Sequence, residues 1–144
     1  MKKFTTILAS AVLLMGLSGC SYLFYPQADE FRQKAKGTTN VDTLLNLADM
    51  MDKSADAAMG KKGKDLALDN LHNQFHAFDN TLCCVDEAKQ LTPTYDLAVT
   101  HNKELWSVFK RVWKFKDDQP QRDEHLTLFK KELEEMRSTL EALK

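Results

Sequence analysis

An all-α fold, an antiparallel four-helix bundle over residues 40–144, is predicted by three observations. Four stretches repeat apolar residues at alternating spacings of three and four, the period of one helix face. Each stretch is flanked by residues that start or stop helices, and the connections are short, which sets neighbouring helices antiparallel. The composition leans the same way: five Gly and three Pro in 144 residues, many Leu, Ala, Lys, Glu and Asp, and few β-branched residues. No strand pattern, internal repeat or low-complexity segment competes with this reading.

The chain opens on Lys2 and Lys3, followed by an apolar centre from Ile7 to Met15 and then Leu17-Ser18-Gly19-Cys20. A basic start, a short apolar run and small residues are the order of a signal peptide, and the run is too short to span a bilayer permanently. Leu17-Ser18-Gly19-Cys20 resembles the lipobox of bacterial lipoproteins, in which the cysteine is lipidated and becomes the first residue after cleavage. The resemblance covers only this stretch. It implies removal of residues 1–19, a covalent lipid on Cys20 and anchoring to a membrane. In enterobacterial members Asp after the cysteine retains the protein at the inner membrane. Ser21 therefore implies the periplasmic face of the outer membrane.

Residues 20–39 read as the lipidated N-terminus and a tether. Tyr22, Leu23, Phe24 and Tyr25 suit either the lipid interface or packing on the domain. Pro26, Gly37 and Thr38-Thr39-Asn40 interrupt the remainder.

Four helices are expected beyond. Val41, Leu44, Ala48, Met51, Ala55 and Ala58 form the first stripe, capped by Thr39 or Asn40 and closed by Gly60. Leu68, Leu71, Phe75, Phe78, Leu82 and Val85 form the second, whose bulk marks it as central. Thr92-Pro93 starts the third, with Pro at the first helical position where its missing N–H costs nothing. Its stripe is Tyr95, Ala98, Asn102, Leu105, Phe109 and Val112, widened by Trp106 and Trp113, and it runs to about Lys116. Asn102 is a polar exception suited to fixing register. Asp117, Asp118 and Pro120 are expected to break the chain before the last stripe, Leu126, Phe129, Leu133, Met136, Leu140 and Leu143.

Charge narrows the function. Without Lys2 and Lys3 the 20 basic residues become 18 against 21 acidic, a net of −3, which argues against nucleic acid as a partner. No phosphate loop, G-x-S-x-G or other catalytic set is present, so no enzyme is expected. On the second helix His72, His76, Asp79 and Cys83 fall near 40°, 80°, 20° and 60° from Leu68, one stripe beside the apolar seam (angles about ±10°). Such a stripe is a candidate metal set, with His101 or His125 able to approach from another helix, or else a plain boundary between core and solvent. A haem held by Met50, Met51 or Met59 and a histidine is the weaker cofactor reading, and the missing C-x-x-C-H excludes covalent attachment.

Cys83-Cys84 is read first as two buried thiols, then as a disulfide to another chain, and last as a redox pair lacking C-x-x-C spacing. From Trp106 to Lys116 aromatic and basic residues interleave. Trp106, Lys110, Arg111, Trp113 and Lys114 are the candidate binding surface, set against aromatics that simply face the core. The expected function is interaction: an adaptor or pilotin-like assembly module of the outer membrane, holding another envelope protein, with no cofactor beyond the lipid. The alternative is a metal- or cofactor-binding envelope protein.

Replacing Cys20 by Ser should abolish acyl labelling and membrane retention, since several acyl chains hold a protein almost permanently where none holds it at all. Unchanged labelling and fractionation would exclude the lipobox.

Overall fold

In the computed structural model, which describes residues 26–144, six helices form and no strand occurs among the described residues. Cys20, the leader before it and Tyr22–Tyr25 lie outside the described residues. The helices are α1 (Pro26–Lys34), α2 (Asn40–Met59), α3 (Lys64–Leu82), α4 (Glu87–Gln90), α5 (Pro93–Lys114) and α6 (Gln119–Ala142). None of them is long and apolar enough to cross a membrane.

Local chemistry sets most boundaries. Thr39 Oγ1 accepts from the Asp42 N–H at 3.1 Å while the Thr39 N–H donates to Asp42 Oδ2 at 3.1 Å, a reciprocal cap for α2. Gly60 ends α2 in extended backbone, and Gly63, at φ 76°, turns the chain into α3 in the left-handed region that favours glycine. Thr92 caps α5, its Oγ1 accepting from the Tyr95 N–H at 3.3 Å, with Pro93 just inside. Asp118 Oδ1 accepts from the Gln121 N–H at 3.2 Å and caps α6. Pro120 therefore lies in the first turn of α6 and does not break the chain as expected. The N–H it lacks is one that a helix start leaves unused.

Two helices escape the sequence reading. α1 occupies residues that the sequence reading assigned to the tether. Its buried residue is Ala28, with Phe31 partly buried and Ala35 buried just past its end, a stripe too slight to register as periodic. Gly37 is close-packed behind it: a Cβ there would overlap Asp42, and the Gly37 N–H donates to Thr43 Oγ1 at 2.9 Å. The other is the single turn α4. Lys89 on it reaches the Leu143 carbonyl and, at 2.5 Å, that of Lys144, tying it to the end of α6.

The four apolar stripes meet in one core. Leu44, Met51, Leu71, Phe75, Leu105, Phe129, Met136 and Leu140 are all sealed from solvent. Met51 is an ordinary part of that core. α2 packs along α3 and along α6, α5 packs along α6, and α1 lies on α3. α3 and α5 bring their backbones close over only a short stretch. The space between them is filled by rings. The connection from α5 to α6 is held from two sides: Lys64 Nζ donates to the Lys116 carbonyl at 3.2 Å and to Asp117 Oδ1 at 2.7 Å, and the buried Arg122 donates to the same carbonyl at 3.1 Å.

Phe75 sits where these elements converge, with no exposed surface. Phe75→Ala should destabilise the fold by about 3–5 kcal/mol in chemical denaturation, through lost transfer energy plus a residual cavity. A loss below about 1 kcal/mol would mean the ring is not at the hub of the core.

Candidate functional site

The two stretches singled out from sequence, the histidine stripe of α3 and the aromatic–basic end of α5, meet in one seam. His72 stacks on Phe109, ring centroids 5.6 Å apart at 24°, and lies 5.4 Å from Trp113 and 6.5 Å from Trp106. His76 packs edge-on to Trp106 at 5.1 Å. Beneath them Phe75 meets Trp106 at 4.4 Å and Phe129 at 6.2 Å. The result grades outward, from sealed phenylalanines through half-buried His72, His76 and Trp106 to exposed Trp113.

The Nε2 atoms of His72 and His76 are 3.1 Å apart, one turn of α3 separating the residues. At that distance one ring donates and the other accepts, which requires the accepting nitrogen to be unprotonated. The electrostatics agree. Burial pushes His76 down to about 4, with the His72 charge adding to the fall and Asp79 opposing it. Burial lowers His72 too, against the pull of Asp69.

The rest of the predicted stripe is divided. Asp79 Oδ1 accepts from Asn102 Nδ2 of α5 at 2.7 Å, so this carboxylate pins the two helices in register. Asn102 is 7% exposed, and its Oδ1 is buried without a hydrogen-bond partner. Cys83 stands past the last turn of α3 and bonds back to the Asp79 carbonyl, Sγ to O 3.4 Å. Among the described residues, His72, His76, Asp79 and Cys83 do not gather three ligand atoms around one point. His101 turns instead to α6, its Nδ1 2.6 Å from Glu132 Oε1, and His125 lies 5.5 Å from Phe115.

The expectation of two buried thiols is overturned. Cys83 and Cys84 are both exposed and free, because α3 ends at Leu82 and the chain turns there. Each sulfur bonds to its own i−4 carbonyl, Cys84 to Asn80 at 3.4 Å, which keeps the pair divergent. Partial burial and the Asp79 charge raise the Cys83 thiol above its usual range, which disfavours the reactive thiolate.

Charge is unevenly answered across the surface. Arg32, Lys64, Lys130, Arg137 and Lys144 each stand within 4 Å of a carboxylate. Lys110, Arg111, Lys114 and Lys116 form no such pair among the described residues. Two of them lie over rings instead: Lys116 is 5.4 Å from the centre of Trp113, and Lys114 5.1 Å from that of Phe115. Their position at the C-terminus of α5 also complements the helix dipole. A polar groove of about 410 Å³ between α2 and α6 is different. Its charges answer one another, Arg137 to Asp49 at 2.6 Å and Lys144 to Asp42 at 3.5 Å, leaving little to recognise a ligand.

The Asp79–Asn102 contact and the turning of His101 to Glu132 were not visible in sequence, because each joins residues on separate helices. The polar exception at Asn102 was the one available signal. No known protein family, curated protein or solved structure matches this chain.

The lowered histidines make stability depend on pH. The unfolded chain takes up protons as pH falls below about 6.5, and folded His76 resists them down to about 4. The melting temperature should therefore fall through that window as acid is added. A His76→Gln variant should show a shallower fall between pH 6.5 and 5, above the main carboxylate range. Equal slopes for both proteins would show that His76 is not held neutral by the fold.

Proposed function

We propose that this chain is a lipid-anchored protein of the Gram-negative envelope, held by Cys20 on the periplasmic face of the outer membrane. It acts without catalysis, as an adaptor or pilotin-like module that binds another envelope protein. The observation that carries this reading is the α3–α5 seam. It combines half-buried His72, His76 and Trp106 and exposed Trp113 with the nearby α5 cations Lys110, Arg111 and Lys114, which form no ion pair among the described residues. Amphipathic rings beside uncompensated charge favour an acidic segment bearing an apolar or aromatic anchor. The lipobox resemblance of Leu17-Ser18-Gly19-Cys20 supports the anchoring.

The scaffold proposed for this surface is an antiparallel four-helix bundle of α2, α3, α5 and α6. The short connections at 60–63 and 115–118 join the most extensively packed helix pairs, and short connections between packed helices reverse the chain. A second reading, metal binding at the seam, is favoured by the 3.1 Å between the His72 and His76 nitrogens. It requires further ligands from a partner, since Asp79 is taken by Asn102.

The test is a photo-cross-linkable residue placed at Trp113 in intact cells, with Leu128 on α6, 41% exposed, as the comparison site. A discrete product from position 113, absent from 128 and weakened by Lys110→Glu with Lys114→Glu, is expected. No product, or equal products from both positions, would remove the seam as the binding face.

A further inference from the structure

Away from the seam, His101 of α5 meets Glu132 and Glu135 of α6. One ligand atom from each lies within 4.8 Å of the other two. His101 and Glu132 are largely buried, with side chains 15% and 21% exposed, and Glu135 is at the surface. The hydrogen-bond contact of His101 Nδ1 with Glu132 Oε1, 2.6 Å, accounts for two members. It does not account for Glu135, which stands beside a like charge and forms no ion pair among the described residues. A divalent cation bound by one neutral imidazole and two carboxylates forms a site of zero net charge.

We propose that His101, Glu132 and Glu135 bind a divalent transition-metal ion of the zinc type. Bonds of about 2.0–2.2 Å in tetrahedral geometry place neighbouring ligand atoms about 3.3 Å apart, between the 2.6 Å and 4.8 Å limits found here. Small side-chain rotations suffice to close the site. Glu132 and Glu135, three apart, share one face of α6, and the long α5–α6 packing holds that face against His101. A nitrogen ligand selects zinc-like ions over calcium or magnesium, which take oxygen. Three protein ligands leave a fourth position to water or to a partner's side chain, on the solvent side where Glu135 lies. The site is independent of the α3–α5 seam and of the binding role proposed for it.

The test uses the full chain, stripped with chelator and titrated with zinc by calorimetry, then with cobalt by visible absorption. One ion per chain at micromolar affinity or tighter is expected, with cobalt bands of nitrogen and oxygen ligation. Glu135→Gln should weaken binding about tenfold or more while leaving the helical spectrum and melt unchanged, because its side chain is exposed. His101→Gln should also weaken binding, and the double variant His72→Gln, His76→Gln should bind as the parent does. Absent saturable binding, parental affinity in Glu135→Gln, loss of binding in the His72, His76 variant, or a thiolate charge-transfer band would each overturn the assignment.

Discussion

Phe75 is the point on which the described fold depends. Its ring meets Phe78 on its own helix, Trp106 and Phe109 on α5, and Phe129 on α6. α3 and α5 approach closely over only a short stretch, so side chains of ring size are needed to fill the space between them. An aliphatic residue at Phe75 would leave part of that space empty, and a void forfeits the contacts of every atom lining it. The same separation explains the seam. Where two backbones stand apart and rings bridge them, the outer rings stay half in water, and that is where His72, His76 and Trp106 lie.

The polar contacts divide by what burial does to them. Asp79 with Asn102 is a short, partly enclosed hydrogen bond to a charged group, the kind worth about 1.5–3 kcal/mol and costly to break on one side. Arg122, 2% exposed, donates from Nη1 to the Lys116 carbonyl and from Nε to Asp123, its buried Nη2 making no hydrogen bond, and Lys64 reaches the same carbonyl from α3. The α5–α6 connection is thereby anchored to the rest of the fold. The surface pairs of α6 with α2, such as Arg137 with Asp49, contribute far less, because water and salt screen them. The cations Lys110, Arg111 and Lys114 at the end of α5 stand outside this pattern, since they form no ion pair among the described residues.

Much of this was legible in the chain because helix formation is local. The stripes through Leu44, Leu71, Leu105 and Leu133 all turned inward, and Thr39, Thr92-Pro93 and Gly60 marked ends where they were expected. Asn102 was identified as a polar residue on an apolar seam, and its partner proved to be Asp79. α1 was missed because two alanines and one phenylalanine make a weak stripe, and it is held by contact with α3 more than by its own pattern. Cys83 and Cys84 were misplaced for a related reason. Periodicity was carried past Leu82, where the chain had already turned, although Val85 still reaches the core.

The sequence by itself determined the four long helices and which face of each is apolar, since both follow from spacing along the chain. Only the tertiary structure decided which flanking residues meet. Periodicity divides a helix into an inside and an outside, but the partner of a boundary residue depends on the neighbouring helix, its distance and its rotation. That is why His72 and His76 came together with Trp106 and Trp113 while Asp79, Cys83 and His101 went elsewhere. The juxtaposition of His101 with Glu132 and Glu135 arises the same way: thirty-odd residues apart in the chain, they share a site because α5 and α6 pack side by side.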